Sequence, residues 1–194
     1  TRYLFRCLMT DVNRCLWPTK DPMYLNYHDQ EWGIPNRDGR QLFEKIILEG
    51  AQAGLSWITI LKNRENYRHL FDRFDPVKVA SYNEKDVSRL MGDAGIIRNR
   101  AKINSAINNA KAFCKHFGND EDAFSELLWS FVDDKPIINQ RMSMDDIPPT
   151  SEISTKMSKQ LKKMGFSFIG PTTCYAMMQA TGMVDDHIVT CFCH

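Results

Sequence analysis

Four residues, two near each end of the sequence, carry the side chains that zinc prefers. His187 and Cys191 are four residues apart, so a helix would place them on one face, while Cys15 and His28 are thirteen residues apart. Two thiolates and two imidazoles suit a tetrahedral zinc ion, which would join the two ends. The alternative is that the cysteines are small buried apolar residues and that His28 is a hydrogen-bonded surface residue. Two neighbours could replace Cys191 as a ligand: Cys193 and His194.

A lone carboxylate, that of Glu49, stands among apolar residues. It lies seven residues after Leu42 and three after Ile46, at the edge of a helical apolar face. Aromatic walls around one buried anion suit a flat cationic guest, through stacking, cation–π attraction and a charge-assisted hydrogen bond. The alternative is a core edge at which Glu49 pairs with a lysine or an arginine. The aromatic residues near Glu49 are Trp17, Tyr24, Tyr27, Trp32 and Trp57.

A basic helix, a glycine-bracketed turn and a second helix follow one another in the last third of the sequence. Glycines let backbone N–H groups approach a DNA phosphate, and the positive end of the second helix points the same way. The alternative is an ordinary helical hairpin with a solvated charged face. The candidate DNA contacts in this hairpin are Lys162, Lys163, Gly165, Gly170 and Thr172.

Two aspartates, Asp185 and Asp186, come just after the second helix of the hairpin. They could provide the N-cap of a terminal helix, which is the commoner use of such residues. They could also act as a general base or stabilise a sugar cation.

The composition of the chain is that of a globular protein. Its 194 residues are 43% hydrophobic and 25% charged, and the net charge is +1. These values exclude disorder, collagen and coiled coil as overall classes, and they leave nucleic-acid binding open. No apolar run could cross a membrane and no signal peptide is seen, so we expect no membrane partner and reduced cysteines. We expect an intracellular protein, cytoplasmic in a bacterium and nuclear or organellar in a eukaryote.

The elements that would position these groups are helices, because apolar residues recur with helical rather than strand periodicity. An all-α fold is therefore predicted. Residues 10–35 are predicted to be an ordered aromatic loop, and residues 133–149 a polar connection between two lobes. The predicted helices cover residues 38–53, 56–71 with Ser56 as N-cap, 83–91, 98–117, 122–132, 154–164 and 172–181, and a helical turn covers 184–189.

The sequence resembles the 3-methyladenine-DNA glycosylase I family, of the Tag type, from about Cys15 to Cys193. Several of the matching segments are long and chemically unusual. They are DPMY (21–24), YHDQEWG (27–33), LEGAQAGLSW (48–57), FDPVKVA (74–80), DAGIIR (93–98), LWSF (128–131), GFSFIG (165–170) and DHIV (186–189). The first ten residues fall outside the resemblance and are assigned nothing, so a single domain of two lobes is expected over residues 11–194.

The resemblance implies a helix-hairpin-helix glycosylase fold and hydrolysis of the N-glycosidic bond of 3-methyladenine in alkylated double-stranded DNA. It also implies one structural zinc ion, which would clip the N-terminal segment to the C-terminal segment through Cys15, His28, His187 and Cys191. Glu49 would recognise the methylated base, and Gly54 and Leu55 would probe the gap left by the flipped base. The residues that would line the base pocket are Tyr27, Trp17, Trp57 and, beside them, Trp32.

One residue departs from the family pattern. Tag-type enzymes typically have asparagine where this chain has Asp185, whereas related superfamily members have a catalytic aspartate there. Asp185 is therefore a second catalytic candidate beside Glu49. No lysine is obviously placed for lyase chemistry, so we expect a monofunctional, monomeric enzyme that releases free 3-methyladenine. The alternative function is a zinc-stabilised helix-hairpin-helix module that binds DNA without catalysis.

Overall fold

The computed structural model describes residues 12–194. Within that range the fold is mostly helical, as predicted, with two short strands. The segment of residues 1–10, which the sequence left unassigned, lies outside the described residues. The helices are α1 (Pro22–Gln30), α2 (Gly39–Gln52), α3 (Trp57–Leu70), α4 (Pro76–Ala80), α5 (Glu84–Gly92), α6 (Arg100–Phe117), α7 (Glu121–Ser130), α8 (Glu152–Lys163) and α9 (Pro171–Ala180), and the strands are β1 (Ile137–Ile138) and β2 (Val184–Asp185).

Side-chain caps explain where most helices begin. The carboxylate of Asp38 accepts a hydrogen bond from the backbone N–H of Gln41, and Asp120 accepts one from that of Ala123. Ser56 is the N-cap residue of α3, as predicted. Its side chain does not bond to a backbone N–H of the helix; its hydroxyl instead lies 2.9 Å from the hydroxyl of Thr59.

Two helices lie where none was predicted. The segment 10–35, expected to be a loop, contains α1, and α4 begins at Pro76. Both begin with an aspartate cap followed by proline, Asp21–Pro22 and Asp75–Pro76, a pair that favours the first turn of a helix. The helix α1 is barely amphipathic and α4 has five residues, so apolar periodicity gave no signal for either.

The helical turn predicted over residues 184–189 is wrong. Val184 and Asp185 form β2, which pairs in parallel with Ile137 and Ile138 of β1. A further bridge joins Arg141 to Ile188. The connection over residues 133–149 therefore packs along the C-terminal segment, a long-range pairing that local sequence patterns do not reveal.

The helix α2 runs through the hydrophobic core and carries the pocket carboxylate. Eleven of its fourteen residues are buried, and it packs against α3, α6, α7 and α9. Its Glu49 therefore projects from a rigid, enclosed helix. The described buried apolar residues form one cluster, and the division into two lobes stays a prediction. None of the described helices combines the length and the apolarity needed to cross a membrane.

Candidate active site

All five residues predicted to bind the base meet at one cavity of about 230 Å³. Glu49 comes from α2, Trp57 from the start of α3 and Tyr27 from α1. Met144 and Ile147, from the connection after α7, and Gln179, from α9, complete the wall. The cavity is lined by Trp17, Tyr24, Tyr27, Trp32, Glu49, Gln52, Trp57, Met144, Ile147, Ala176, Gln179 and Ala180.

The aromatic residues of the cavity pack on one another and form stiff walls. The ring centroids of Trp17 and Trp32 lie 5.1 Å apart, and those of Tyr27 and Trp57 lie 5.4 Å apart. The indole N–H groups of Trp17 and Trp57 are buried without a partner among the described residues. Buried donors are normally paired, so these two groups are available to a bound ligand.

The Glu49 side chain is 6% exposed and makes no hydrogen bond or ion pair with another described residue. Burial raises the pKa of Glu49 to about 7, and the positive charge of Lys45 opposes this rise. The expected alternative, direct pairing with a lysine or an arginine, is not seen. A buried carboxylate that ionises near pH 7 and has no direct ion-pair partner is suited to binding a cationic guest.

The described residues also include a group that could hold a metal ion. The ligand atoms of His28, His187, Cys191 and Cys193 all lie within 4.8 Å of one another. Cys15 is buried beside them, and a hydrogen bond between its thiol and Cys191 raises the pKa of Cys15. The group thus contains three of the four predicted ligands, His28, His187 and Cys191, with Cys193 as its fourth member. The predicted ligand Cys15 contacts Cys191 but is not part of this group. His194 lies outside this group, and its ring nitrogen contacts Gln140.

Both histidines are oriented by carboxylates that sequence reasoning did not assign to this task. The Nδ1 atom of His28 lies 2.8 Å from Asp29, and that of His187 lies 2.7 Å from Asp185. Each ring therefore turns Nε2 toward the thiols; that of His187 is buried without a partner, and that of His28 lies 3.6 Å from the Cys191 sulfur. Carboxylate support on the far nitrogen is typical of metal-binding histidines. The residues present fit a metal ion.

The His187 ring packs closely against the backbone at position 33, and this contact requires a glycine there. A Cβ atom at Gly33 would lie 2.6 Å from Cε1 of His187, and the backbone φ is +77°, which side chains disfavour. The glycine of the sequence YHDQEWG therefore gives the histidine its space.

Asp185 is not a helix cap, because no helix follows it. One carboxylate oxygen accepts the backbone N–H of His187 at 3.0 Å and contacts its ring. The side chain does not line the aromatic cavity. Its contacts support a role in holding His187 rather than in reaching a sugar.

We expect Asp185→Asn to retain base excision within about tenfold, or roughly 1.4 kcal/mol of activation barrier. The amide oxygen of asparagine can accept the same two hydrogen bonds. The measurement is the single-turnover rate on alkylated duplex DNA. A thousandfold fall with unchanged melting temperature would instead make Asp185 a catalytic residue.

Asp186 is fully buried and binds four side chains, a role that the sequence did not indicate. Its carboxylate accepts hydrogen bonds from Asn139, Arg141, Tyr175 and Gln179. Burial opposes ionisation of Asp186, but these donors hold its pKa below the usual range. The carboxylate thus fixes Gln179 and the 139–141 segment beside the cavity.

The hairpin predicted to contact DNA is present as α8, an exposed turn and α9. Lys162, Lys163, Gly165 and Thr172 are exposed, and Gly170 precedes α9 as its N-cap. Helix α6 holds the turn in place. The amide of Asn109 accepts the backbone N–H of Ser167 at 2.8 Å and donates to its carbonyl at 3.1 Å.

The two residues expected to probe the DNA gap lie on an exposed loop between α2 and α3. Gly54 has a φ of +78°, and the Leu55 side chain is 40% exposed. Lys102 supports this loop by donating to the carbonyls of Ala51 and Ala53 at 2.8 and 2.7 Å. An exposed leucine on a braced loop can wedge into a base stack.

Comparisons with known proteins point to one family. The methyladenine glycosylase family matches residues 17–194. DNA-3-methyladenine glycosylase 1 of Escherichia coli (strain K12) is 52% identical over 94% of this chain and 97% of its own length. A crystal structure of 3-methyladenine DNA glycosylase I superposes with a TM-score of 0.91, at 52% identity, over 94% of this chain and 100% of that one.

A second solved structure concerns base recognition. It describes the structural basis of 3-methyladenine recognition by the Staphylococcus aureus glycosylase I, with a TM-score of 0.87 and 39% identity over 94% of this chain and 96% of that one. Sequence and structure therefore agree over nearly the whole length, and the chain belongs to the methyladenine glycosylase family.

Proposed function

We propose that this chain excises 3-methyladenine from alkylated double-stranded DNA by hydrolysing the N-glycosidic bond. The observation that carries the proposal is the buried carboxylate of Glu49 in an aromatic cavity of about 230 Å³. The family relatives are named for this base, which supports the same assignment. The target nucleotide must leave the base stack to reach such a cavity.

The positive charge of the damaged base explains how the site can work without a strong general acid. Adenine methylated at N3 is a cation while attached to the sugar, and it leaves as a neutral molecule without a strong acid. Glu49 attracts the cation, while neutral adenine would leave the buried carboxylate poorly paired. Tyr27, Trp57, Trp17 and Trp32 stack on the base and exclude water. We assign Glu49 to the base and Asp185 to positioning His187.

We further infer that the metal is one structural zinc ion, held by His28, His187 and Cys191 with Cys15 or Cys193 as fourth ligand. Imidazoles and thiolates in a closed site favour zinc over harder ions. The ion would supply a crosslink between distant parts of the chain and no chemical step. Asp29 and Asp185 would keep both imidazoles in the metal-binding tautomer.

The deciding experiment measures free 3-methyladenine released from alkylated duplex DNA under single-turnover conditions. We expect release by the wild type and none by the heated protein. DNA binding without release would contradict the proposal and favour the alternative, a zinc-stabilised binding module. Sedimentation tests the expected monomer, and localisation in cells tests the expected intracellular site.

The basic hairpin provides a separate prediction. Lys162→Ala combined with Lys163→Ala should weaken binding to any duplex and lower the salt dependence by about 1–2 units of log–log slope, because each phosphate contact releases a counterion. Binding of free base should not change. The matched control is the pair Lys78→Ala and Lys85→Ala, exposed lysines outside the hairpin. An unchanged salt slope in the hairpin variant would mean that these lysines form only a solvated face.

A further inference from the structure

A buried lysine lies directly behind the aromatic cavity. Lys45 is 9% exposed and stands one helical turn before Glu49 on α2. It makes no ion pair with any described carboxylate, since Glu31 is bound to Arg64 and Glu44 to Arg68. A buried ammonium without a direct ion pair is costly, so its retention needs a reason.

The ammonium of Lys45 contacts the rings of the cavity from outside. It lies 3.4 Å from the hydroxyl oxygen of Tyr27, 5.0 Å from the Tyr27 ring centroid and 4.7 Å from that of Trp57. Lys45 itself borders a second cavity, of about 600 Å³, that is lined mainly by polar and charged groups. The two rings thus separate the lysine from the space where a base would bind.

The opposite charges of Lys45 and Glu49 act on a bound base in opposite directions. Glu49 stabilises a cationic base, whereas the ammonium of Lys45, on the other side of the rings, repels it. This repulsion is appreciable because the low dielectric of the buried site screens charges weakly. When the glycosidic bond breaks, the positive charge moves from the base to the sugar. The penalty from Lys45 therefore falls on the bound substrate and not on the departing neutral base.

We propose that Lys45 is a second charge determinant of the base site, which limits how tightly the cationic base is held and favours its departure as a neutral molecule. This inference rests on the proposed function. Lys45 acts through the rings and the field of the site, so it is a positioning residue and not a catalytic one.

The groups that face Lys45 leave its charge dependent on Glu49. Burial lowers the pKa of Lys45, and among the surrounding carboxylates Glu49 opposes this effect most, ahead of Glu31. Arg64 adds to the lowering. Removing the charge of Lys45 is therefore expected to change the ionisation of Glu49 as well, so the variant tests the two groups together.

The test compares two ligands in one variant, Lys45→Met, which keeps the length of the side chain and removes its charge. One ligand is 3,9-dimethyladeninium, a permanent cation that mimics the base still attached to sugar; the other is neutral 3-methyladenine. We expect the affinity for the cation, relative to the neutral ligand, to rise about tenfold or more. Lys45→Arg should keep the wild-type ratio, and Lys85→Met controls for net charge at an exposed site.

Kinetics provide a second readout. Lys45→Met should bind damaged DNA more tightly and release the base more slowly, so KM and kcat fall together, as expected when ground-state strain is removed. Equal losses for both ligands, or an unchanged ratio, would overturn the inference and leave Lys45 a packing residue. If the wild type itself releases no 3-methyladenine, the proposed function fails instead, and the two failures are distinguishable.

Discussion

His187→Ala is expected to abolish metal binding and lower the free energy of unfolding by about 4 kcal/mol or more. The side chain is 2% exposed, and its Nε2 faces the thiols without a protein partner. The ion would join residues that are 163 positions apart, as His28 and Cys191 are, so its loss affects the whole chain. Elemental analysis and thermal unfolding, measured on the same sample, provide the result.

The control for this variant is His69→Ala, which removes an exposed histidine of α3. It should keep both metal content and melting temperature. Cys15→Ala and Cys193→Ala identify the fourth ligand, because only substitution of the ligating cysteine should cause loss of the metal. A native protein that is metal-free and fully stable would rule out the zinc site.

Glu49→Gln is expected to weaken binding of the cationic base by about 1–3 kcal/mol, because a neutral amide replaces the charge-assisted hydrogen bond. Since the pKa of Glu49 is about 7, the wild-type affinity for a permanent cation should rise as pH increases through 7. This pH dependence should disappear in Glu49→Gln. Titration of 3,9-dimethyladeninium at several pH values measures both effects, and equal affinities would reject the role of Glu49.

Stability provides the control for Glu49. Folding raises its pKa from 4.5 to about 7, so the folded state binds more protons between these values. Wild-type stability therefore loses this contribution as pH rises through that window, by linkage. Glu49→Gln lacks this loss and should be at least as stable as the wild type above pH 7. Glu49→Asp should affect general stability less than Glu49→Gln affects base binding.

Local signals predicted much of the fold. Asp38 and Asn83, where two helices were predicted to begin, are N-caps whose side chains accept backbone N–H groups two or three residues away. The helix α1 was missed because its buried residues, Tyr27 and His28, serve a pocket and a ligand group rather than a regular apolar stripe. Sites that serve chemistry break the pattern that predicts helices.

The sequence predicted which residues lie together at the cavity, but not the contacts that hold those residues in place. Residue types alone single out Glu49 and the aromatic cluster. The pairing of β1 with β2 and the contact of Asp29 with His28 depend on the tertiary fold. The position of Lys45 could have been suspected, because a lysine four residues before Glu49 on a buried helix interrupts an apolar face.

The meeting of residues 12–28 with residues 187–193 has a consequence for synthesis. Asn13 accepts the backbone N–H of Phe192, and His28 meets Cys191 across most of the sequence. Contacts of such separation form late in folding, and on the ribosome they cannot form until residue 193 has emerged. The ring of Trp32, whose centroid lies 4.5 Å from that of His187, would gain this neighbour only then. A chain that stalls at residue 186 is therefore expected to contain the residues that line the cavity but to lack the contact that fixes Trp32 beside it.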